Sequence, residues 1–287
     1  MKDLITLLRP HQYIKNIFIF APILFAFSIT QENLLHSFYA FILFSILASS
    51  VYILNDYMDV EEDKKHPTKC KRPLASGAIS LANANFLFIA LAGVTFVMAY
   101  IFNTKLLAVL FLYFVLNILY SVKLKHIAIV DIFIISTGFV LRLFAGAIAT
   151  DTPLSMWIII ITFLLAIFLA LAKRRDDVLL SLEGKETRKN INGYNLEFVN
   201  ATMVLMSGVV IVSYLQYTVS PEVISRIGSE HLYLTAFFVI LGIFRYMQIT
   251  FVEQGSGSPT KIVLKDRFLQ ISILLWLFSF IFIAKLS

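Results

Sequence analysis

Long apolar runs constrain this chain more than anything else in it. Nine stretches, at about 17–31, 36–55, 82–102, 105–121, 127–149, 153–172, 197–219, 231–250 and 268–286, carry very few charges. Runs of roughly 17 to 25 residues match α-helices crossing a hydrocarbon layer, whereas barrel strands are about half as long. Hydrophobic residues make up 59% of the 287, charged residues 15%, and the mean hydropathy is +0.83. A water-soluble domain does not carry that much apolar surface. The expectation is an all-α polytopic membrane protein of about nine transmembrane helices, forming one domain over residues 1–287. The first 16 residues are polar and basic, with no short apolar core and small-residue cleavage site, so no cleaved leader is expected. Cys70 is the only cysteine, which excludes an internal disulfide and a cysteine-based metal site. The five histidines show no ligand spacing.

Basic residues give the orientation. One side of the predicted bundle holds Lys2, Arg9 and Lys15, then Lys64 to Arg72, Lys123 and Lys125, Lys173 to Lys189, and Lys261 to Arg267. The other side holds only Lys105, Arg226 and Lys285. The N-terminus is therefore expected in the cytoplasm, and an odd number of crossings puts the C-terminus outside, in a cell (inner) membrane. The net charge of +6 is accounted for by topology and phosphate binding; no nucleic acid partner is implied.

Directly after the second run comes Asn55-Asp56-Tyr57-Met58-Asp59-Val60-Glu61-Glu62-Asp63. Asp56, Asp59 and Asp63 are spaced three and four apart, which on a continuous helix stacks all three carboxylates on one face. Like charges so arranged repel, and a divalent cation relieves them. Oxygen-only ligands suit Mg2+, which binds through one or two carboxylates plus substrate phosphates. Lys64, Lys65, Lys69, Lys71 and Arg72 follow at once. Acids for a metal and bases for phosphate in one stretch form an arrangement for handling a diphosphate, against the plainer reading of a solvated loop. Lys69 and Arg72 are candidate phosphate contacts, Arg for bidentate geometry and Lys as a point charge. Pro67, Pro73 and Gly77 shape the loop.

Arg142 lies mid-span, so it must face the protein interior or a wet cavity and pair with another helix or a ligand anion. Gly138, Ala145 and Gly146 around it suggest close helix packing. Lys15, next to Asn16, is either a snorkelling anchor or a phosphate contact. Tyr120 and Lys125 lie at the cytoplasmic end of the fourth span. Lys123 and Arg175 fit as topology determinants, Asp176 and Asp177 as partners for nearby cations, and Gly255-Ser256-Gly257-Ser258 as a flexible turn.

These residues resemble the UbiA superfamily of intramembrane prenyltransferases. Its first motif, Asn-Asp-x-x-Asp-x-x-x-Asp, is met by Asn55, Asp56, Asp59 and Asp63. Within it, RPHQYIKN at 9–16, NDYMDVEEDKKHPTKCKRP at 55–73, YSVKLKHIAIVDIFIISTGFVLRLFAG at 120–146 and VLKDRFLQ at 263–270 are similar to the decaprenyl-phosphate phosphoribosyltransferase branch. The superfamily's second motif, Asp-x-x-x-Asp after span six, is not met, because Asp176 is followed four residues on by Leu180 and Asp177 by Ser181.

The resemblance implies about nine helices around a central cavity open to the cytoplasm. It implies transfer of a 5-phosphoribosyl group from 5-phosphoribosyl 1-diphosphate to a polyprenyl phosphate, with Mg2+ on Asp56, Asp59 and Asp63. Lys69, Arg72, Lys173 and Arg174 then hold donor phosphates. Tyr120, Lys125 or Arg142 holds the lipid phosphate, with Lys15, Asn16 and Asn55 as further substrate contacts. A second reading keeps the acids but uses a prenyl diphosphate and an aromatic or small acceptor; the missing second acidic pair weighs against it. A third reading, a transporter using Arg142 and Arg245 as pathway charges, fits poorly, because the charges gather on one side and no inverted repeat is visible.

Overall fold

The computed structural model describes residues 2–65, 69–184 and 189–286. Pro67, and the Lys185 and Arg188 of the basic loop, lie outside the described residues. Everything described is helix, turn or loop, with no strand among the described residues. Among the described residues, eight helices are long and apolar enough to cross a membrane, which makes this a multi-pass membrane protein. The predicted span 17–31 is built differently. A 3-10 helix covers Pro10–Phe20 and is followed by a one-turn α2, Ala21–Phe25; α1 is Lys2–Leu8.

Two compact units divide the chain, Met1–Leu154 and Ser155–Ser287. In the first, α3 (Gln31–Met58) is the pillar, and the 3-10 helix, α5 (Leu81–Phe102), α6 (Thr104–Val122) and α7 (Val130–Ala149) pack on it. The buried centre runs through Ile19, Leu43, Phe44, Leu47, Leu106 and Leu141. A short α4, Val60–Lys65, continues from α3. The helices begin where capping chemistry allows. Thr30 Oγ1 accepts the Asn33 N–H at 3.1 Å and Ser80 Oγ the Asn83 N–H at 3.2 Å, while Asn103 Oδ1 accepts from Lys105 at 2.8 Å. Each such cap is worth about 1 kcal/mol.

Gly146 fixes the closest approach in this unit. A Cβ there would lie 1.9 Å from the Ile19 carbonyl oxygen, so α7 and the 3-10 helix touch backbone to backbone. The close packing expected from the small residues of α7 is found at this position.

The second unit pairs α8 (Met156–Leu182) with α9 (Leu196–Val219), and α11 (Ala236–Phe251) with α13 (Arg267–Leu286). Two short helices, α10 (Pro221–Ile227) and α12 (Pro259–Lys265), connect them. Helix α8 runs ten residues past the end predicted for span six, so Lys173 to Asp177 ride on helix and not on loop. The stretch expected to be a flexible turn is packed: Ser256 is fully buried and donates to the Ala172 carbonyl at 2.9 Å. A Cβ on Gly257 would come within 2.2 Å of Asp176 Oδ2. Any side chain at this position requires that carboxylate to move aside.

Candidate functional site

The acidic motif does not form one continuous helical face. Helix α3 ends at Met58, Asp59 caps it with φ −97° and ψ 3°, and α4 restarts at Val60. At the break the Asp59 side chain is 30% exposed, well above its two companions. Asp56 and Asp63 are each only 3% exposed, and both bind Arg72. One nitrogen, Arg72 Nη1, donates to Asp56 Oδ1 at 3.1 Å and to Asp63 Oδ2 at 2.6 Å. Arg9 Nη2 donates to the same Asp56 oxygen at 2.5 Å. Asp59 instead accepts from Lys125 Nζ. Buried carboxylates are costly unless paired and hydrogen-bonded. Here Arg9, Arg72 and Lys125 offset Asp56, Asp59 and Asp63, so the cluster is neutral as it stands.

Two residues around this cluster hold left-handed backbone. Arg9 has φ 54° and links α1 to the 3-10 helix. Ile129, at φ 70°, links the Lys125 loop to α7. For a β-branched residue this is a true outlier, and such strain, of order 1–3 kcal/mol each, concentrates at functional sites. Both outliers belong to segments that carry a cation onto the acids.

Asn55 is positioned by Ser121, a buried residue that sequence reasoning missed. The Ser121 hydroxyl lies 2.7 Å from the Asn117 carbonyl and 2.5 Å from the Asn55 side-chain oxygen. Tyr120 is half-buried on the last turn of α6, and Lys69 half-buried in a short turn before Arg72. Arg9 was also missed as a site residue. Its partner lies 47 residues away, which no local pattern shows.

Deeper along α3 lies a second group. The 3-10 helix repeats every three residues, so Tyr13, Asn16 and Ile19 share one face. Tyr13 meets Ser49 at 2.7 Å and Asn16 donates to Ser45 at 2.9 Å. Arg142, 5% exposed, donates from Nε to Asn16 Oδ1 at 2.8 Å and from Nη1 to the Gly138 carbonyl at 2.6 Å. Its guanidinium lies 4.7 Å from the Phe44 ring centre and 5.3 Å from those of Tyr113 and Phe139. The partner predicted for Arg142 on another element is thus an amide, supported by aromatic faces.

In the second unit, Arg174 is almost fully buried and pairs with Asp177, and Lys173 lies one residue before it on α8. Arg175, read as a topology determinant, is buried and holds Asn200 at 2.9 Å and the Thr250 carbonyl at 2.7 Å. Arg245 is no pathway charge. It binds Asp266 at 2.7 Å, Glu253 at 2.7 Å and Gln248 at 2.7 Å, clamping the end of α11 to the start of α13.

Among the described residues no three His, Cys, Asp or Glu side chains converge as a ready-made metal cage. Two carboxylate oxygens, from Asp56 and Asp63, do converge on one cationic nitrogen. A hard cation that needs one or two carboxylates and takes the rest of its oxygens from phosphate and water fits such a pair.

The model of the UbiA prenyltransferase family matches residues 18–272. The chain is 31% identical to decaprenyl-phosphate phosphoribosyltransferase of Mycolicibacterium smegmatis, over 96% of this chain and 91% of that one. It is 28% identical to the protein of the same description from Corynebacterium glutamicum, over 97% of this chain and 85% of that one. Among solved structures, a UbiA homolog from Archaeoglobus fulgidus bound to DMAPP and Mg2+ superposes with a TM-score of 0.72. That match has 17% identity and covers 99% of this chain and 100% of the other.

Proposed function

The chain belongs to the UbiA prenyltransferase family, and on that premise we propose that it is a phosphoribosyltransferase acting on a lipid. It moves a 5-phosphoribosyl group from 5-phosphoribosyl 1-diphosphate to a polyprenyl phosphate and releases diphosphate, with Mg2+ required. The similarity to two phosphoribosyltransferases over nearly the whole chain supports this reading. The single observation that carries it is the sharing of Arg72 Nη1 by Asp56 and Asp63.

Asp56 and Asp63, with Asp59 next in the motif, would hold the metal. When bound, Mg2+ supplies electrostatic stabilisation to the departing diphosphate. Arg9, Arg72 and Lys125 exchange their carboxylate partners for donor phosphate oxygens, a trade of one charge-assisted bond for another, and Lys69 adds a further phosphate contact. In the second unit, Arg174 stays with Asp177. Asn55 and Tyr120 line the donor's approach. An acceptor phosphate oxygen attacks the anomeric carbon; the bond to the diphosphate oxygen breaks and its electron pair leaves with the diphosphate. An anionic phosphate oxygen needs no strong general base, which accords with the lack of a nucleophile and base pair in the motif.

The positive loops put the N-terminus and the acids on the cytoplasmic side of the cell membrane, where phosphorylated sugars are found. Eleven residues at about 2.0 Å and five at about 1.5 Å give the Pro10–Phe25 segment a reach of roughly 30 Å, enough for a ninth crossing that leaves the C-terminus outside.

The test uses purified protein in detergent, labelled 5-phosphoribosyl 1-diphosphate and a polyprenyl phosphate. Label passes to the lipid fraction only with Mg2+, and chelation abolishes transfer. Asp56→Asn or Asp63→Asn lowers kcat by about 100-fold or more. Undiminished transfer by an Asp56→Ala, Asp59→Ala double variant would count against the metal assignment. Transfer from a prenyl diphosphate to an aromatic acceptor, with none from the sugar donor, would overturn the reading.

A further inference from the structure

Arg72 and the carboxylates it binds differ in what can reach them. Its side chain is 28% exposed and that of Arg9 22%, whereas the side chains of Asp56 and Asp63 are 3% and 4% exposed. The cations therefore form the rim over this pair of acids, and the acids form the floor. An ion arriving from water meets the guanidinium groups first. A bare divalent cation is repelled by them, and the carboxylates behind them are already neutralised. A phosphate is attracted, because a guanidinium offers it paired N–H donors.

The two arginines are not equivalent. Arg9 Nη2 donates to Asp56 alone. Arg72 Nη1 joins Asp56 on α3 to Asp63 on α4, across the helix break at Asp59. Without Arg9, Asp56 keeps Arg72; without Arg72, Asp63 keeps no cation among the described residues. A buried carboxylate stripped of its partner is costly, so Arg72 leaves only when another cation takes its place. An anion at the rim gives the departing guanidinium its new partner. The backbone of Arg72 stays put during such an exchange. Its N–H donates to the Lys69 carbonyl at 2.9 Å, and its carbonyl accepts from Ser76 at 2.9 Å. Leu74, two residues on, is buried in one cluster with Ile53 of α3 and Val60 of α4. Only the side chain has to swing.

We propose that Arg72 is a latch that makes the divalent metal and the donor's diphosphate bind as a pair. Phosphate oxygens draw the guanidinium off, and the two released carboxylates take the metal. Each ligand tightens the other by about 10- to 100-fold, an ordinary range for coupled sites. The metal alone is held off, so the site stays closed to free cations until a phosphate arrives. The latch rests on the function proposed above, in which Asp56 and Asp63 hold the metal.

The test uses the full-length protein in detergent. Mn2+ stands in for Mg2+, because its free form is counted directly by electron paramagnetic resonance, and inorganic diphosphate stands in for the donor. The two are first given separately, so that no ion–diphosphate complex forms in solution. Arg72→Met is expected to tighten Mn2+ about tenfold and to weaken radiolabelled diphosphate, measured with chelator present, about tenfold. Opposite shifts from one substitution are what a latch produces; a residue that only supports the fold would weaken both. Arg72→Lys should bring both affinities most of the way back to wild type. If Arg72→Met does not fold, wild type carries the test: diphosphate must tighten Mn2+ at least tenfold once complexation in a protein-free blank is subtracted. Shifts of the same sign in Arg72→Met, or none, overturn the proposal, and so does wild-type Mn2+ binding that ignores diphosphate. Opposite shifts in a protein that transfers no phosphoribosyl group leave the latch standing and remove the transfer reading; transfer without them does the reverse.

Discussion

Arg9 reaches 47 residues along the chain to place its Nη2 2.5 Å from Asp56 Oδ1. The contact joins a left-handed residue at the end of α1 to a carboxylate buried near the end of α3. Removing one partner of a buried pair costs about 3–5 kcal/mol, but Arg72 remains on Asp56 and Arg9 is partly exposed. Arg9→Ala is therefore expected to lose about 1–2 kcal/mol, seen as a lower thermal midpoint in detergent, and to bind the sugar donor more weakly. An unchanged midpoint with unchanged donor affinity would remove Arg9 from the site.

Gly146 and Gly93 give opposite expectations for the same substitution. A methyl group at Gly146 meets the Ile19 carbonyl, which is backbone and cannot swing aside. Gly146→Ala should destabilise by about 2–3 kcal/mol, in the range of overpacking. It should also disturb the Asn16–Arg142 hydrogen bond, because the displaced 3-10 helix carries Asn16. Nothing lies within 4 Å of a Cβ at Gly93 in α5, so Gly93→Ala should be neutral or gain up to about 1 kcal/mol in helix propensity. Thermal unfolding of the two variants side by side decides it.

Gly257 meets a side chain instead, Asp176 Oδ2. Gly257→Ala should cost about 1–2 kcal/mol, since the carboxylate must shift. Truncating the obstacle, Asp176→Ala, should recover most of that loss in the double variant. A cycle with no coupling between the two positions would contradict the contact.

Asp266 supplies a pH dependence. The hydrogen bond from Arg245, helped by the Leu269 N–H, holds its carboxyl below the ordinary value of 3.8. The folded form therefore binds the proton less readily than the unfolded chain. The stabilisation is fully present above pH 3.8 and is lost as pH falls through the folded value. Arg245→Gln should make the protein less stable at neutral pH and flatten its stability profile below pH 3.8. An unaltered acid profile would show that the bond does not set the titration.

Much of this molecule can be read directly from its residues. The apolar runs predict the long helices, and the spacing of Asp56, Asp59 and Asp63 singles out the acid cluster. What that spacing could not reveal is the break at Asp59, because a helix stop set by tertiary ion pairs leaves no local signature. The cations are equally hidden. Lys125 meets Asp59 across 66 residues, and Ser121 meets Asn55 across the same separation. Span six was cut short because hydropathy falls at Lys173, although Leu179, Leu180 and Leu182 carry the helix onward. Arg142 was legible as an interior charge, but its amide and aromatic surroundings come from four separate elements.

The 3-10 segment acts as a ruler with a coarse scale. Each residue there advances a third of a turn and about 2.0 Å, so inserting or deleting a single residue would rotate everything beyond it by about 120°. Tyr13, Asn16 and Ile19 would then face the wrong neighbours at once. Insertion scanning should find this stretch among the least forgiving in the chain, although no acid of the catalytic cluster lies within it.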